Sequence, residues 1–153
     1  MYRTCLTVVL FSGLCHAQPN LTSPPAVSPQ ELRYLRFMLL NVASLDHDPK
    51  AIAAYEGSLV KLHGLSTQES AVIHSAGQTL HTALVQDRQS SRAIVAFRTT
   101  LLPSDLAALA ALDAQREQTI ATLANQILNS VSPATAARLR NAGHILANAL
   151  HEN

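Results

Sequence analysis

The amino-acid sequence predicts an all-α protein, a bundle of about five helices of which the third is long. Every proline after residue 27 stands at a predicted helix start or between helices, and three of these four directly follow a serine or an aspartate that can cap a helix. Between these breaks, apolar residues recur every three or four positions, as they do on one face of a helix. No stretch alternates apolar and polar residues as a strand does.

The first 17 residues have the layout of a cleaved signal peptide. Arg3 supplies a positive n-region, Cys5 to Leu14 an apolar h-region, and Cys15-His16-Ala17 a small-residue cleavage site. The apolar run is about half the length of a membrane-spanning helix, so we expect cleavage and no membrane anchor. A periplasmic or secreted protein is therefore predicted. Both cysteines lie in this leader, so the mature chain is expected to have no disulfide.

Residues 18–27 contain three prolines among small and polar residues, which predicts an extended spacer. Residues 28–151 are predicted to form a single α-helical domain. Its first helix should run from Pro29 to about Leu45, after a capping box made by Ser28 and Glu31. The second should run from Pro49 to His63, with Asp48 as its cap and Gly64 closing it.

The third helix is predicted to begin after the capping box Ser66 to Glu69. No proline or glycine interrupts residues 87–100, so we expect one helix of about nine turns with a polar middle that projects past the core. Its apolar stripe should resume at Ile94, Val95 and Phe97. A fourth helix is predicted over residues 105–130, and a fifth from the cap at Ser132 to about residue 150.

Helix 1 is apolar on more than one side. Leu32, Leu35, Leu39 and Val42 form one stripe, but other apolar residues lie outside it: Tyr34, Phe37, Met38 and Leu40. Such a helix is either central in the bundle or covered by a partner. The second alternative predicts a homodimer that buries part of the surface formed by Tyr34, Phe37 and Leu40.

Charge gives no reason to predict a nucleic-acid or anionic-membrane partner. Removal of Arg3 from the 11 basic residues leaves 10 against 10 acidic ones, and the basic residues are scattered along the chain. Nucleic-acid binding depends on clustered lysine and arginine. We therefore predict no nucleic-acid partner.

The histidines are the candidate metal ligands of this sequence. They stand at positions 47, 63, 74, 81, 144 and 151 of the predicted mature chain. His74 and His81 are seven residues apart, about 10 Å along a helix, whereas ligands of one ion need i, i+3 or i+4 spacing. The same holds for His144 and His151. Solvated helix faces are the simpler interpretation, and no metal site and no cofactor are predicted.

Catalytic signatures are also missing from the sequence. There is no G-x-S-x-G elbow, no cysteine outside the leader and no glycine-rich phosphate loop. Arg116 and Glu117 interrupt the apolar stripe of helix 4 beside Asp113, which predicts a charged pair near the core that serves packing rather than catalysis. No catalytic residue is assigned, and the protein is predicted not to be an enzyme.

Two of the caps resemble a known motif. Leu65-Ser66-Thr67-Gln68-Glu69 and Val131-Ser132-Pro133-Ala134-Thr135 are similar to the L-T-x-x-Q motif that occurs twice in the Spy/CpxP family of small periplasmic helical proteins. Serine replaces the motif's threonine at both sites, Glu69 and Thr135 replace its glutamine, and the basic, methionine-rich character of the family is absent. The resemblance implies a cradle-shaped dimer that acts as an ATP-independent chaperone or envelope-stress adaptor.

The sequence therefore predicts a non-catalytic exported binding module, chaperone-like, with unfolded or envelope proteins as partners. The alternative is a periplasmic metal-responsive sensor or carrier that uses surface histidines.

Overall fold

The computed structural model describes residues 27–45 and 47–151. Within them the chain forms five helices and no strand: α1 (Pro29–Leu45), α2 (Pro49–His63), α3 (Thr67–Val95), α4 (Pro103–Ser130) and α5 (Pro133–His151). The predicted all-α bundle with a long third helix is confirmed. The predicted signal peptide and all but the last residue of the spacer lie outside the described residues. None of the described helices is both long and apolar enough to cross a membrane.

Helix starts follow the predicted caps. The Ser66 hydroxyl accepts from the Glu69 amide at 3.2 Å, and the Glu69 carboxylate accepts from the Ser66 amide at 2.8 Å. Asp48 accepts from two amides of the first turn of α2, and Gly64 ends that helix in the left-handed conformation, with φ 60°. α4 begins at Pro103, two residues earlier than predicted, because proline is well placed at the first helical position.

α3 ends earlier than the sequence predicted. The helix stops at Val95, and Phe97, which was expected to continue its apolar stripe, has a φ of 60° and is fully exposed. The chain must reverse direction between Val95 and Pro103, since α4 packs against α3, so the helix cannot continue along its axis. The turn at Phe97 therefore ends the helix without a glycine.

α1 is the central helix of the bundle and packs against all four others. Leu35, Met38, Leu39 and Val42 are fully buried. Met38 thus belongs to the core, although the periodicity placed it outside the stripe. Helix 1 is therefore apolar on several sides because it is central in the bundle, the first of its two interpretations. Phe37, however, is 58% exposed.

The core occupies only one end of the long helices. In α3 the last buried residue is Leu80, and in α4 no residue between Leu106 and Thr119 is buried. The second half of α3, the turn and the first half of α4 therefore form a helical hairpin that extends beyond the core. We call residues 84–117 the arm. The sequence predicted that the polar middle of α3 projects past the core. In the structure the whole second half of α3 does so, with the first half of α4 as its partner.

Two glycines allow helices to approach α1 closely. A Cβ atom on Gly77 of α3 would overlap the Val42 side chain. A Cβ atom on Gly143 of α5 would lie 2.8 Å from Glu31 Cα and 2.9 Å from the Gln30 carbonyl oxygen, both backbone atoms of α1. Since backbone atoms cannot move aside as side chains do, α5 can occupy this position only with glycine at residue 143.

Carboxylates of the capping boxes also connect different helices. Glu69 caps α3 and its other oxygen accepts from the Ser132 amide at the start of α5, at 2.9 Å. Hydrogen bonds from the Ser66 and Ser132 amides lower the pKa of Glu69 well below its usual range. Glu31 caps α1 and pairs with Arg140 of α5 at 3.0 Å. Burial alone would raise the pKa of Glu31, but its hydrogen bonds with Ser28 and Arg140 lower it overall.

We expect Gly143→Ala to destabilise the protein by about 1–3 kcal/mol, because the new methyl group collides with the α1 backbone and this outweighs the better helix propensity of alanine. Gly57→Ala is the matched control, since a Cβ at this helical position would meet nothing within 4 Å. It should raise stability by up to about 1 kcal/mol. Urea unfolding measures both changes, and equal effects of the two variants would contradict the close approach.

We expect Ser66→Ala to lower the free energy of unfolding by about 1 kcal/mol through loss of the cap. Glu69→Ala should lower the thermal midpoint further, because amides at the starts of two helices lose their acceptor. Thr67→Ala, an exposed first-turn position, serves as the control and should change little. If Glu69→Ala behaved like Thr67→Ala, the link between α3 and α5 would not be structural.

Candidate functional site

The groove between α1 and α3 is the most distinctive candidate site. It has a volume of about 540 Å³, within the range of small-ligand sites. Its apolar surface comes from Phe37, Leu40, Leu84 and Val85. Its polar rim comes from Asn41, Ser44, His47, His81 and Arg88. The remaining lining residue is Ala43. We refer to this site as the groove.

Helical periodicity positions both walls of the groove. Phe37, Leu40 and Ser44 follow one another at i, i+3 and i+7 on α1, and the residues of α3 repeat this spacing from His81 to Arg88. The ring of His81 is fixed by its Nδ1, which lies 2.8 Å from the Ala43 carbonyl oxygen. Because a carbonyl oxygen can only accept, Nδ1 carries the hydrogen and donates it.

The electrostatics of the groove favour a ligand with a negative charge. Arg88 and two histidines stand at its rim, and no acidic side chain lines it among the described residues. The exposed Phe37 and Val85 add apolar surface beside these groups. The groove therefore suits a molecule or segment that is apolar and carries an acidic group.

Neither His47 nor His81 was assigned to a site from the sequence, and the structure brings both to the groove. The spacing of His81, Leu84, Val85 and Arg88 shows that they share one face of α3. It does not show which part of α1 that face meets. Only the packing of α3 across α1 places His47, which follows α1 in the chain, at the same rim.

The other described histidines have separate environments. His74 contacts Glu56, and His144 lies 4.0 Å from Glu31. His144 is exposed together with Asn141 and Asn148, as the predicted polar face requires, while the His151 side chain lies outside the description. His63 is an exception, because it is buried rather than on a solvated face. Across the described ranges, no three His, Cys, Asp or Glu side chains converge as metal ligands would.

The charged pair predicted in helix 4 lies at the base of the arm rather than in the core. Arg116 is about one third exposed and contacts Asp113 at 2.7 Å and Asp87 at 3.5 Å. Glu117 pairs with Arg36 of α1. These partly exposed pairs connect α1, α3 and α4, beside a cavity of about 160 Å³ between α3 and α4. Pairs of this exposure contribute little to stability individually.

No family model, curated protein or solved structure matches this chain. The resemblance to the Spy/CpxP family therefore stays a prediction from the two caps. The structure places these two caps next to each other, since Glu69 of the first accepts from Ser132 of the second. Leu65 and Val131, which open the two motifs, are both buried.

Tyr34 and His63 form a partly buried polar pair between α1 and the end of α2. Their hydroxyl and Nε2 are hydrogen-bonded, and the rings meet edge to face with centroids 5.6 Å apart. Burial raises the pKa of Tyr34 to about 12, with a smaller contribution from Tyr55. Burial lowers the pKa of His63, and the positive charge of Arg138 on α5 lowers it further. Both groups are thus neutral near pH 7, so the phenol donates to the imidazole.

The lowered pKa of His63 predicts that the free energy of unfolding decreases in mild acid. The unfolded chain takes up a proton at the ordinary histidine pKa of 6.5, whereas the folded protein resists protonation until the pH is lower. This contribution is therefore complete above about pH 6.5 and is lost as the pH falls through the lowered value. Urea unfolding between pH 8 and pH 5 should show the decline. His63→Gln should reduce it and His74→Gln should retain it, whereas an equal slope in His63→Gln would contradict the assignment.

Proposed function

We propose that this protein is a non-catalytic binding module that takes apolar segments bearing acidic groups into the groove. The observation that carries the proposal is the groove itself, in which exposed apolar side chains stand beside Arg88, His47 and His81 with no described carboxylate among them. The predicted leader supports an exported protein, periplasmic or secreted. In that setting the module would act as an ATP-independent chaperone or envelope-stress adaptor for unfolded or envelope proteins.

The architecture supports binding of flexible segments in particular. The groove is partly open to solvent and lies at the surface between α1 and α3. One wall belongs to the central helix α1, which is held by all the others, and the opposite wall extends into the arm. A firm wall facing a less tightly packed one suits clients of varied shape, because the second wall can adjust.

A homodimer would use part of the same surface. Tyr34, predicted to belong to that surface, is instead engaged by His63 and half-buried, which leaves Phe37 and Leu40. Self-association through the groove would compete with client binding. Sedimentation velocity of the variants described below separates the two.

The alternative, a metal-responsive sensor or carrier that uses surface histidines, lacks a specific supporting observation. The polar groups that contact the described histidines are a phenol at His63, carboxylates at His74 and His144, and a backbone carbonyl at His81. This alternative would be favoured if titration showed that the protein binds Zn²⁺ and if no client protein were bound.

The proposal is tested with 1-anilinonaphthalene-8-sulfonate, an apolar aromatic probe with a negative charge. Phe37→Ser and Arg88→Gln should each weaken its binding about fivefold, because they remove apolar contact and positive charge respectively. Leu62→Ser is the matched control, since Leu62 is 69% exposed on α2, outside the groove. Fluorescence titration gives the affinities, and suppression of aggregation of a chemically denatured protein tests the chaperone activity in the same variants.

Equal affinity of the wild type and Phe37→Ser for the probe would reject the groove as the binding site. Loss of probe binding with unchanged suppression of aggregation would retain the groove and reject its chaperone role.

A further inference from the structure

The outer end of the arm concentrates exposed apolar side chains. Nine large apolar residues are exposed in the described chain, and five of them lie close together in sequence, around the turn that joins α3 to α4: Val95, Phe97, Leu101, Leu102 and Leu106. Single exposed apolar residues are normal, whereas a cluster marks an interaction surface. We call these five residues the apolar tip.

Phe97 is the most unusual residue of the tip. It is fully exposed and has a φ of 60°, the only positive φ of a non-glycine residue in the described ranges. Glycine or asparagine adopts this conformation at less cost than a bulky aromatic residue does. The need to turn the chain therefore does not explain why residue 97 is a phenylalanine. An interaction made by its aromatic ring explains it.

The turn that displays Phe97 is well ordered by hydrogen bonds. The Arg98 amide donates to the Val95 carbonyl at 3.3 Å, and the buried Asp105 carboxylate accepts from the Leu102 amide at 2.8 Å. The Arg98 guanidinium lies 3.4 Å from the same carboxylate. These bonds hold the chain at both ends of the turn, while the apolar side chains face water, so the tip is partly preorganised for binding.

The tip is also positively charged. Residues 88–106 contain Arg88, Arg92 and Arg98, and their single acidic residue is Asp105, which is buried beside Arg98. Arg92 and Arg98 therefore lie near the tip, whereas Arg88 lies farther back along α3, where it lines the groove. Arg88 and Arg92 share one face of α3 with the exposed Val85 and Val95, so that two basic groups stand between two apolar ones on this face.

We propose that the apolar tip docks this protein onto an anionic lipid surface. Phe97 and the leucines enter the headgroup region, while Arg92 and Arg98 contact the lipid phosphates. Apolar insertion and electrostatic attraction together are what bind amphipathic elements to such membranes. Complementary charge selects an anionic surface over a neutral one.

The length of the arm permits this docking without involving the core. Val95 lies 15 residues beyond Leu80, the last buried residue of α3, which corresponds to about 22 Å along the helix axis. The headgroup region is penetrated only about 5–10 Å deep by interfacial elements. The groove and the core thus stay in water, and the proposal does not depend on what the groove binds.

Co-sedimentation with vesicles tests the proposal. The wild type should bind phosphatidylcholine vesicles containing about one third phosphatidylglycerol, should not bind pure phosphatidylcholine vesicles, and should dissociate at high salt. Phe97→Gly should weaken binding about tenfold and at the same time raise the thermal midpoint, because it removes both the apolar side chain and the backbone strain. A purely structural role for Phe97 would lower the midpoint instead.

Further variants separate the two components of binding. Arg92→Gln should weaken binding about fivefold through the loss of one charge. Leu106→Ser, within the helical part of the tip, should also weaken it, and Leu62→Ser on α2 should not. The proposal is overturned if the wild type does not bind anionic vesicles, or if Phe97→Gly and Leu106→Ser bind them like the wild type. A dimer in solution that Phe97→Gly dissociates would assign the tip to a second copy of the chain and would also overturn it.

Discussion

Buried carboxylates at helix starts are the interaction on which the arrangement of this bundle depends. Glu31 and Glu69 each occupy the third position of their own helix and satisfy its cap, and each also binds α5. A buried charge is costly unless it is paired and hydrogen-bonded. Neither carboxylate is fully satisfied by its own helix, so α5 must lie where Ser132 meets Glu69 and Arg140 meets Glu31. Two local capping motifs thereby become tertiary constraints on the fifth helix.

Close packing reinforces this constraint. Gly143 brings α5 against the first turn of α1, next to Glu31, and Gly77 brings α3 against Val42. The carboxylates fix which helices meet, and the glycines fix how near they come. α1 consequently lies at the centre with Leu35, Met38 and Leu39 fully buried. The bundle reaches this order without a cysteine among its described residues.

Stability is distributed unevenly along the molecule, and this separates its two exposed surfaces. The core ends at Leu80 of α3, and beyond it the arm consists of two helices whose facing residues, such as Leu84 and Leu112, are only half-buried. Regions with few buried apolar contacts open more readily than the core does. The groove lies where the arm leaves the core, and the apolar tip lies at its outer end. Arg88 contributes positive charge between the two.

The sequence by itself determined the secondary structure of this protein, because the relevant signals are local. Ser66 and Glu69 are three residues apart, and a proline or a glycine acts on its own backbone, so helix starts and ends were predictable within a few residues. The exception was the end of α3, since phenylalanine at position 97 gives no local signal for a left-handed turn. In α1 the burial of Leu35, Leu39 and Val42 was predictable in the same way. Leu32 of the same stripe is only half-buried, and the burial of Met38 requires helices on more than one side of α1.

Only the tertiary structure decided which surfaces could function. The groove joins residues of α1 with residues about forty positions later in α3, and periodicity along one helix cannot show which helix its face will meet. The burial of His63 depends on Tyr34 reaching it from α1. The exposure of the tip depends on how α3 pairs with α4, because this pairing carries Phe97 and its neighbours beyond the core. Long-range pairing of faces, rather than local propensity, sets each of these features.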